Sequence, residues 1–258
     1  MLSLIFLTVG CAHLGPPGSQ SVGFKPPAEA VIGWRLVPGQ TLSYAHRTRM
    51  LRGAEEVGRE EHWSYLVKEV DAEGVTLLEG RLTGFGSMYR GQGGVVEPAL
   101  IKAAEDQERT RLEGARVWVR LSQDGQVQGV EGLSWEDSLS HTLLGLGIQK
   151  NAVSPGDTWS DPAMIFPFLN LVSSRVAVLP TGTQSLLSLG SQDSAFADIQ
   201  SEGSLVLGDE DVPHLVLQGQ VHWDLQQGAI DSRQIVLSLS QYDSDFGSRL
   251  FLEIERQQ

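Results

Sequence analysis

The sequence predicts a mainly β protein with a few helices (α+β), its strands antiparallel, and three observations carry that reading. From Trp34 onward apolar residues recur with period two, the spacing that puts every second side chain on one face of a strand. Short Gly-ending turns, Asp71-Ala-Glu-Gly74, Gln123-Asp-Gly125 and Gln226-Gln-Gly228, separate the alternating runs as hairpin turns do. Only two segments shift to helical spacing.

The chain opens with the uninterrupted apolar run Leu2 to Val9 (LSLIFLTV). It is too short to span a bilayer, which takes about 20 residues, and reads as the h-region of an export signal over residues 1–10. The single Cys follows at once, and Leu7-Thr8-Val9-Gly10-Cys11 resembles the lipobox of bacterial lipoproteins. That resemblance implies cleavage before Cys11, a diacylglycerol thioether on its sulfur and acylation of the new amino terminus. With Ala12 next it also implies sorting to the outer membrane. The remainder of the 11–33 stretch is rich in Pro and Gly without apolar periodicity, as in AHLGPPGSQSVGFKPPAEA over 12–30, and reads as an extended tether.

Residues 34–258 read as one domain. In 40–51 the bulkier even positions Leu42, Tyr44, Thr48 and Met50 oppose Arg47 and Arg49; in 59–70 Trp63, Tyr65 and Val67 oppose Glu60, His62, Ser64 and Lys68. Leu215, Leu217, Val221, Trp223 and Leu225 oppose Gln218, Gln220, His222 and Asp224. Ile235, Leu237 and Leu239 alternate with Gln234 and Ser238, and Leu250, Leu252 and Ile254 with Phe251, Glu253 and Glu255. One-sided alternation marks an antiparallel sheet with one solvated face. Trp63, Tyr65, Leu217, Val221 and Trp223 are therefore expected inside, His62 and His222 outside.

The helical segments are Ala99 to Leu112, opened by Pro98 with Ile101, Ala104, Glu108 and Leu112 on one face and a Glu105–Arg109 pair, and the stretch after Ser134. There Ser134 reads as an N-cap with Asp137 three residues on, followed by Leu139, Leu143 and Leu146. Val37-Pro-Gly-Gln-Thr-Leu-Ser43 resembles Val153-Ser-Pro-Gly-Asp-Thr-Trp-Ser160, which divides the domain into two similar halves, about 34–150 and 151–258.

Composition excludes several functions. The chain of 258 residues carries 19 Lys+Arg against 32 Asp+Glu, a net charge of −13. Nucleic acid, which is bound through clustered cations, is not an expected partner. One Cys excludes a disulfide framework and multi-Cys metal sites, and the six His are spread along the chain without an HxxxH pair. Glu60-Glu61-His62 reads as a solvated strand face, because adjacent strand residues point apart, and Asp209-Glu210-Asp211 as a hairpin tip. No nucleophile elbow occurs, and the Gly84–Gly86 and Gly91–Gly94 stretches read as a mobile loop without the Lys-Ser/Thr of a phosphate cradle. No catalytic residue, metal or cofactor is assigned.

Two apolar features stand apart. Met164-Ile-Phe-Pro-Phe-Leu169 reads as a loop that either plugs the core or lines an apolar cavity. Trp118, between Arg116 and Arg120, lies opposite Val117, Val119 and Leu121, as a rim aromatic or part of a contact face.

The order of lipobox, tether, antiparallel strands, short central helix and two similar halves, with the Pro-Gly-Asp-Thr-Trp turn at 155–159, resembles bacterial lipoproteins of the lipoprotein-carrier type. That resemblance implies a curved sheet, an incomplete β-barrel or half-barrel with helices on its concave face, holding acyl chains. The expected function is a non-enzymatic outer-membrane lipoprotein, anchored to the membrane by lipid and facing periplasm or cell surface. It would bind an apolar ligand, an acyl chain or an envelope partner at a partly open cavity bordered by Leu139, Leu143, Phe166 and Phe168. A structural or adhesion lipoprotein with a closed core, and an envelope hydrolase, are the alternatives.

Overall fold

The computed structural model describes residues 28–52, 55–91, 98–147, 151–171, 178–191, 194–207, 215–239 and 248–257. Cys11, the apolar run before it, most of the tether, His13, His214, Asp209-Glu210-Asp211 and Gln92–Gly94 lie outside them.

Eleven strands form a single antiparallel sheet. They are β1 (Thr41–Arg52), β2 (Glu55–Val70), β3 (Thr76–Gly91), β4 (Arg116–Leu121), β5 (Val127–Glu131), β6 (Thr158–Ser160), β7 (Val178–Ser191), β8 (Ser194–Leu207), β9 (Leu215–Asp224), β10 (Ala229–Leu239) and β11 (Ser248–Arg256). Their order is β5-β4-β3-β2-β1-β11-β10-β9-β8-β7-β6, so chain neighbours are sheet neighbours everywhere except between β5 and β6. That connection joins the two edges of the sheet. The Gln126 side-chain amide, entering β5, donates to the Asp161 carboxylate just past β6 at 3.2 Å. The opposite edges of an eleven-stranded sheet can meet only if the sheet curls. It is a half-barrel that does not close.

The turns form for the reasons the residues give. Asp71 accepts from the Glu73 and Val75 amides, and Gly74, Gly125 and Gly228 each take a positive φ that side chains disfavour. The repeated Pro-Gly turn recurs in detail. Gly39 donates to the Val67 carbonyl on β2, and Gly156 donates to the Leu186 carbonyl on β7. Val67 and Leu186 return the bond to Gln40 and Asp157.

Trp63, Tyr65, Leu217, Val221 and Trp223 are all buried on one face, while His62 and His222 lie on the other with about 39% and 37% of their side chains exposed. Covering the apolar face are α2 (Trp135–Ser138), the first 3-10 helix (Leu139–Leu144) that continues it, and a second 3-10 helix (Pro162–Leu171). Ser134 caps α2 by accepting from the Asp137 amide, as its position predicts.

Four expectations are corrected. Leu139–Leu144 is a 3-10 helix rather than further α-helix, since Gly145 and Gly147 end the run and the tight winding keeps Leu139, Leu143 and Leu144 all facing the sheet. Met164–Leu169 is not a loop but part of the second 3-10 helix, with Pro167 inside it; Ile165 and Phe168 are buried and Phe166 is about 51% exposed. Gly84, Gly86 and Gly91 belong to β3, not to a loop, and Gly84 sits tight against His62 across the pair. Met50, in phase with Leu42 and Tyr44, is exposed, because β1 runs past the edge of the core. The helix α1 (Pro98–Leu112) forms with its Glu105–Arg109 pair at 2.7 Å, but packs beside β3 and buries Leu112 outside the main core.

Candidate functional site

Where β5, α2 and the two 3-10 helices meet, the covered face of the half-barrel opens to solvent. An open cleft of about 790 Å³ lies there, walled by Val127 and Val130 from β5, Trp135 from α2, Leu139 from the first 3-10 helix, and Phe166 and Pro167 from the second. The Trp135 indole N–H donates to the Pro167 carbonyl at 3.3 Å, which ties the two helical segments together across the cleft. Ser122, Asp124, Gln126, Gln128 and Thr142 form its polar margin. The volume falls within the range of small-molecule sites, and the lining has the usual mixture of apolar wall and few polar groups.

A smaller cavity of about 30 Å³ lies deeper, with Leu143, Phe168, Ile235, Asp161 and Arg233 in its wall. It shares Gln126, Val127, Thr142, Ala163 and Pro167 with the outer cleft. The four residues expected to border one cavity are thus divided. Leu139 and Phe166 line the outer cleft, Leu143 and Phe168 the inner one.

Arg233 lies on the buried face of β10, in phase with Ile235 and Leu237. Its Nη1 donates to the Leu143 carbonyl at 3.1 Å and also to the Gly145 carbonyl, while its buried Nε has no partner. Burial pushes the guanidinium down to about 10, and the charge of Asp161 opposes that. Asp161 is itself occupied. It accepts from Gln184 Nε2 at 2.8 Å, from Gln126 Nε2 and from the Gly147 amide, each of the last two at 3.2 Å.

A second buried polar group joins residues that the sequence leaves separate. The Tyr65 hydroxyl lies 2.9 Å from His46 Nε2 and 2.6 Å from His141 Nδ1, and His46 Nδ1 lies 3.1 Å from Ser140 Oγ. Burial holds both imidazoles neutral: His141 is lowered to about 3, and His46, with His141 and Arg59 adding to the effect, well below its usual range. Beside them Glu61 is buried, not solvated as Glu60-Glu61-His62 led us to expect. It accepts from the Trp63 indole at 2.8 Å and pairs with Arg59 at 2.9 Å. Burial raises its carboxyl above the usual range although Arg59 and Trp63 oppose this. Arg59 and Arg111 both hold Asp137 at the start of α2, so this group fixes the α2 segment onto β2 rather than opening to a ligand.

On the opposite, solvated face His222 Nδ1 lies 2.6 Å from Asp198, whose other oxygen accepts from Ser188 at 2.5 Å; the Phe196 ring stacks on His222. A hydrolytic serine would donate to the imidazole, and Ser188 donates to the carboxylate instead. Trp118 is half-buried on this face, in a shallow cleft with Leu77, Arg120 and Glu131. Among the described residues no cluster of His, Cys, Asp and Glu has the geometry to hold a metal ion, and no helix is long and apolar enough to cross a membrane. Comparison with known proteins finds no family model and no curated protein that matches the chain.

Two of these groups carry a signal in the sequence. His46, Glu61, Gln184 and Arg233 each fall in the apolar phase of their strands, beside Tyr44, Trp63, Leu186 and Ile235. A polar residue in that phase is buried and must be satisfied or used.

Proposed function

We propose that this chain is a non-enzymatic, lipid-anchored envelope protein of the lipoprotein-carrier-like kind, and that it shelters an acyl chain or a similar apolar moiety in the cleft between β5 and the helical cover. The observation that carries this reading is the position of Phe166. A large aromatic ring left exposed on a helix whose neighbours Ile165 and Phe168 are buried, facing Trp135 and Leu139 across an open cleft, is an apolar surface placed where a ligand can cover it. Each buried methylene would contribute about 0.8 kcal/mol before association costs, so a modest tail suffices for micromolar binding. The anchor at Cys11 rests on the Leu7–Cys11 stretch, and the outer-membrane address on Ala12 after it.

Binding of a fluorescent fatty-acid analogue to the full chain carrying Cys11→Ser tests this. Wild-type cleft residues should give saturable micromolar binding, and Phe166→Asp should weaken it by tenfold or more with the melting temperature unchanged, since Phe166 is exposed. No binding by folded protein across a range of acyl lengths would favour the closed-core structural reading. That reading has its own support in the tight interior, where Leu143, Leu144 and Phe168 are buried and the inner cavity that Leu143 and Phe168 border is small. Metabolic labelling with a fatty-acid analogue tests the anchor: the natural chain should be tagged and Cys11→Ser should not.

A further inference from the structure

We propose that the inner cavity recognises a free carboxylate, so that the moiety held in the cleft is a fatty acid or another acyl compound with an unesterified carboxyl end, bound head inward with Arg233 as the recognising group. This rests on the apolar-ligand reading and adds the chemical class.

Burying Arg233 is costly. A buried cation is normally compensated by a carboxylate in contact, because its desolvation amounts to several kcal/mol. Among the described residues no acidic group lies within ion-pair distance of Arg233. Its guanidinium has two backbone carbonyls on Nη1, and its Nε is sealed from solvent and unpartnered. Asp161 stands in the same cavity wall, yet its two oxygens already receive Gln126, Gln184 and the Gly147 amide. Asp161 acts on Arg233 only through its charge and without a direct bond, and its three donors lessen its repulsion of an arriving anion.

The cavity has the size and position of a head site. About 30 Å³ admits a carboxylate or a pair of waters and excludes anything bulkier. Its five residues shared with the outer cleft make the two neighbours across a common wall, with Arg233 and Thr142 at the inner site and Val127, Pro167, Phe166 and Trp135 on the apolar outer side. An amphiphile of that polarity enters in one orientation only. A methyl ester would bring one carbonyl acceptor without charge, plus a methyl group that the small cavity must accommodate.

Competition between a fluorescent fatty-acid analogue and either dodecanoic acid or methyl dodecanoate, on the full chain carrying Cys11→Ser at neutral pH, decides the point. Natural Arg233 should favour the acid by about tenfold or more, the scale of a charge-assisted hydrogen bond. Arg233→Met should bring the acid to the ester's affinity and leave the ester unchanged. The acid–ester ratio of the unmodified site needs no variant, so a poorly folding Arg233→Met leaves the test decisive. Equal binding of acid and ester would overturn the carboxylate assignment and leave the apolar-ligand reading standing. Failure of both to compete, with no analogue bound, would overturn the two together.

Discussion

The antiparallel pairs β1–β2 and β6–β7 start from the same turn and then diverge. In both, a Gly with positive φ enters the first strand and donates to the second, and the registers match: Leu42 faces Tyr65 as Trp159 faces Gln184. Two residues further on the halves part. In the first, Tyr44 continues a strand of twelve residues and faces Trp63. In the second, β6 ends after Ser160, and Asp161-Pro162 sends the chain into a 3-10 helix. Proline there has no amide to give a ladder. What Trp63 fills in one half is left empty in the other by Gly182, paired across β7–β8 with Gly203. A Cβ on Gly182 would come within 2.1 Å of the Asp161 carbonyl, and one on Gly203 within 2.9 Å of Ile165. One half thus builds its core from aromatic side chains on the sheet. The other leaves its sheet bare at Gly182 and Gly203 and fills that space with a helix, which brings Phe166 to the cleft.

If that contrast is right, removing the aromatic filler should have the largest effect. Trp63→Ala, fully buried and hydrogen-bonded to Glu61, should lose about 3–5 kcal/mol in a denaturant titration. A loss under about 1 kcal/mol would show that Trp63 does not hold the first half together.

The halves should also differ in pH response. His141 stays neutral in the fold until pH falls to about 3, whereas an unfolded histidine takes its proton near 6.5. Between those limits the unfolded state binds more protons, so stability falls as pH falls, by about 1.4 kcal/mol per unit for His141 and further for His46, whose shift has the same direction. Asp137 is depressed in the fold, its burial outweighed by Arg111, Arg59 and Ser134. Its contribution is intact above the unfolded value near 3.8 and does not affect the slope at pH 5–7. Going from pH 6.5 to 5 should therefore cost about 2 kcal/mol through His141 alone, and His141→Phe should remove that share of the slope. An unchanged slope in the variant would mean that His141 is not buried neutral.

Gly182→Ala tests the second half. The added methyl meets a backbone oxygen that cannot rotate away, so a loss of about 1–3 kcal/mol is expected, together with weaker binding of the fatty-acid analogue as the Phe166 helix shifts. A neutral substitution would show that the helix does not depend on the bare sheet beneath it.

Much of the first half was legible because its strands are written in aromatic and aliphatic alternation: Tyr44, Trp63 and Tyr65 declare their face. The turns at Gly74, Gly125 and Gly228 and the Ser134 cap were legible because a positive φ or an unpaired amide needs a particular residue. Strands β7 and β8 were not. Their Thr-Gly-Thr-Gln-Ser and Ser-Glu-Gly-Ser stretches lack large side chains, since the helix supplies the core there. The site was half legible for the same reason. Phe166 and Leu139 stand out as apolar, but the meeting of Arg233 with the Leu143 and Gly145 carbonyls, about ninety positions apart, follows from the curl of the whole sheet.

The smallest expected effect is the one that tests the likeness itself. Gly39 and Gly156 take φ of +88° and +96°, and a Cβ at either would meet nothing within 4 Å. Alanine at these positions therefore meets only the backbone penalty for the left-handed region, about 1–2 kcal/mol, with no packing change to obscure it. Because each Gly amide bonds the second strand of its pair in the same way, Gly39→Ala and Gly156→Ala should lose equal amounts within about 0.5 kcal/mol, and the double variant should lose their sum. Unequal losses would mean that the turns match in geometry but not in what they support, since β1 runs on for twelve residues from its turn and β6 for only three. The alanine pair thus separates a shared motif from a shared structural role: equal losses assign both turns the same role, and a larger loss at Gly39 assigns the first turn the longer strand it starts.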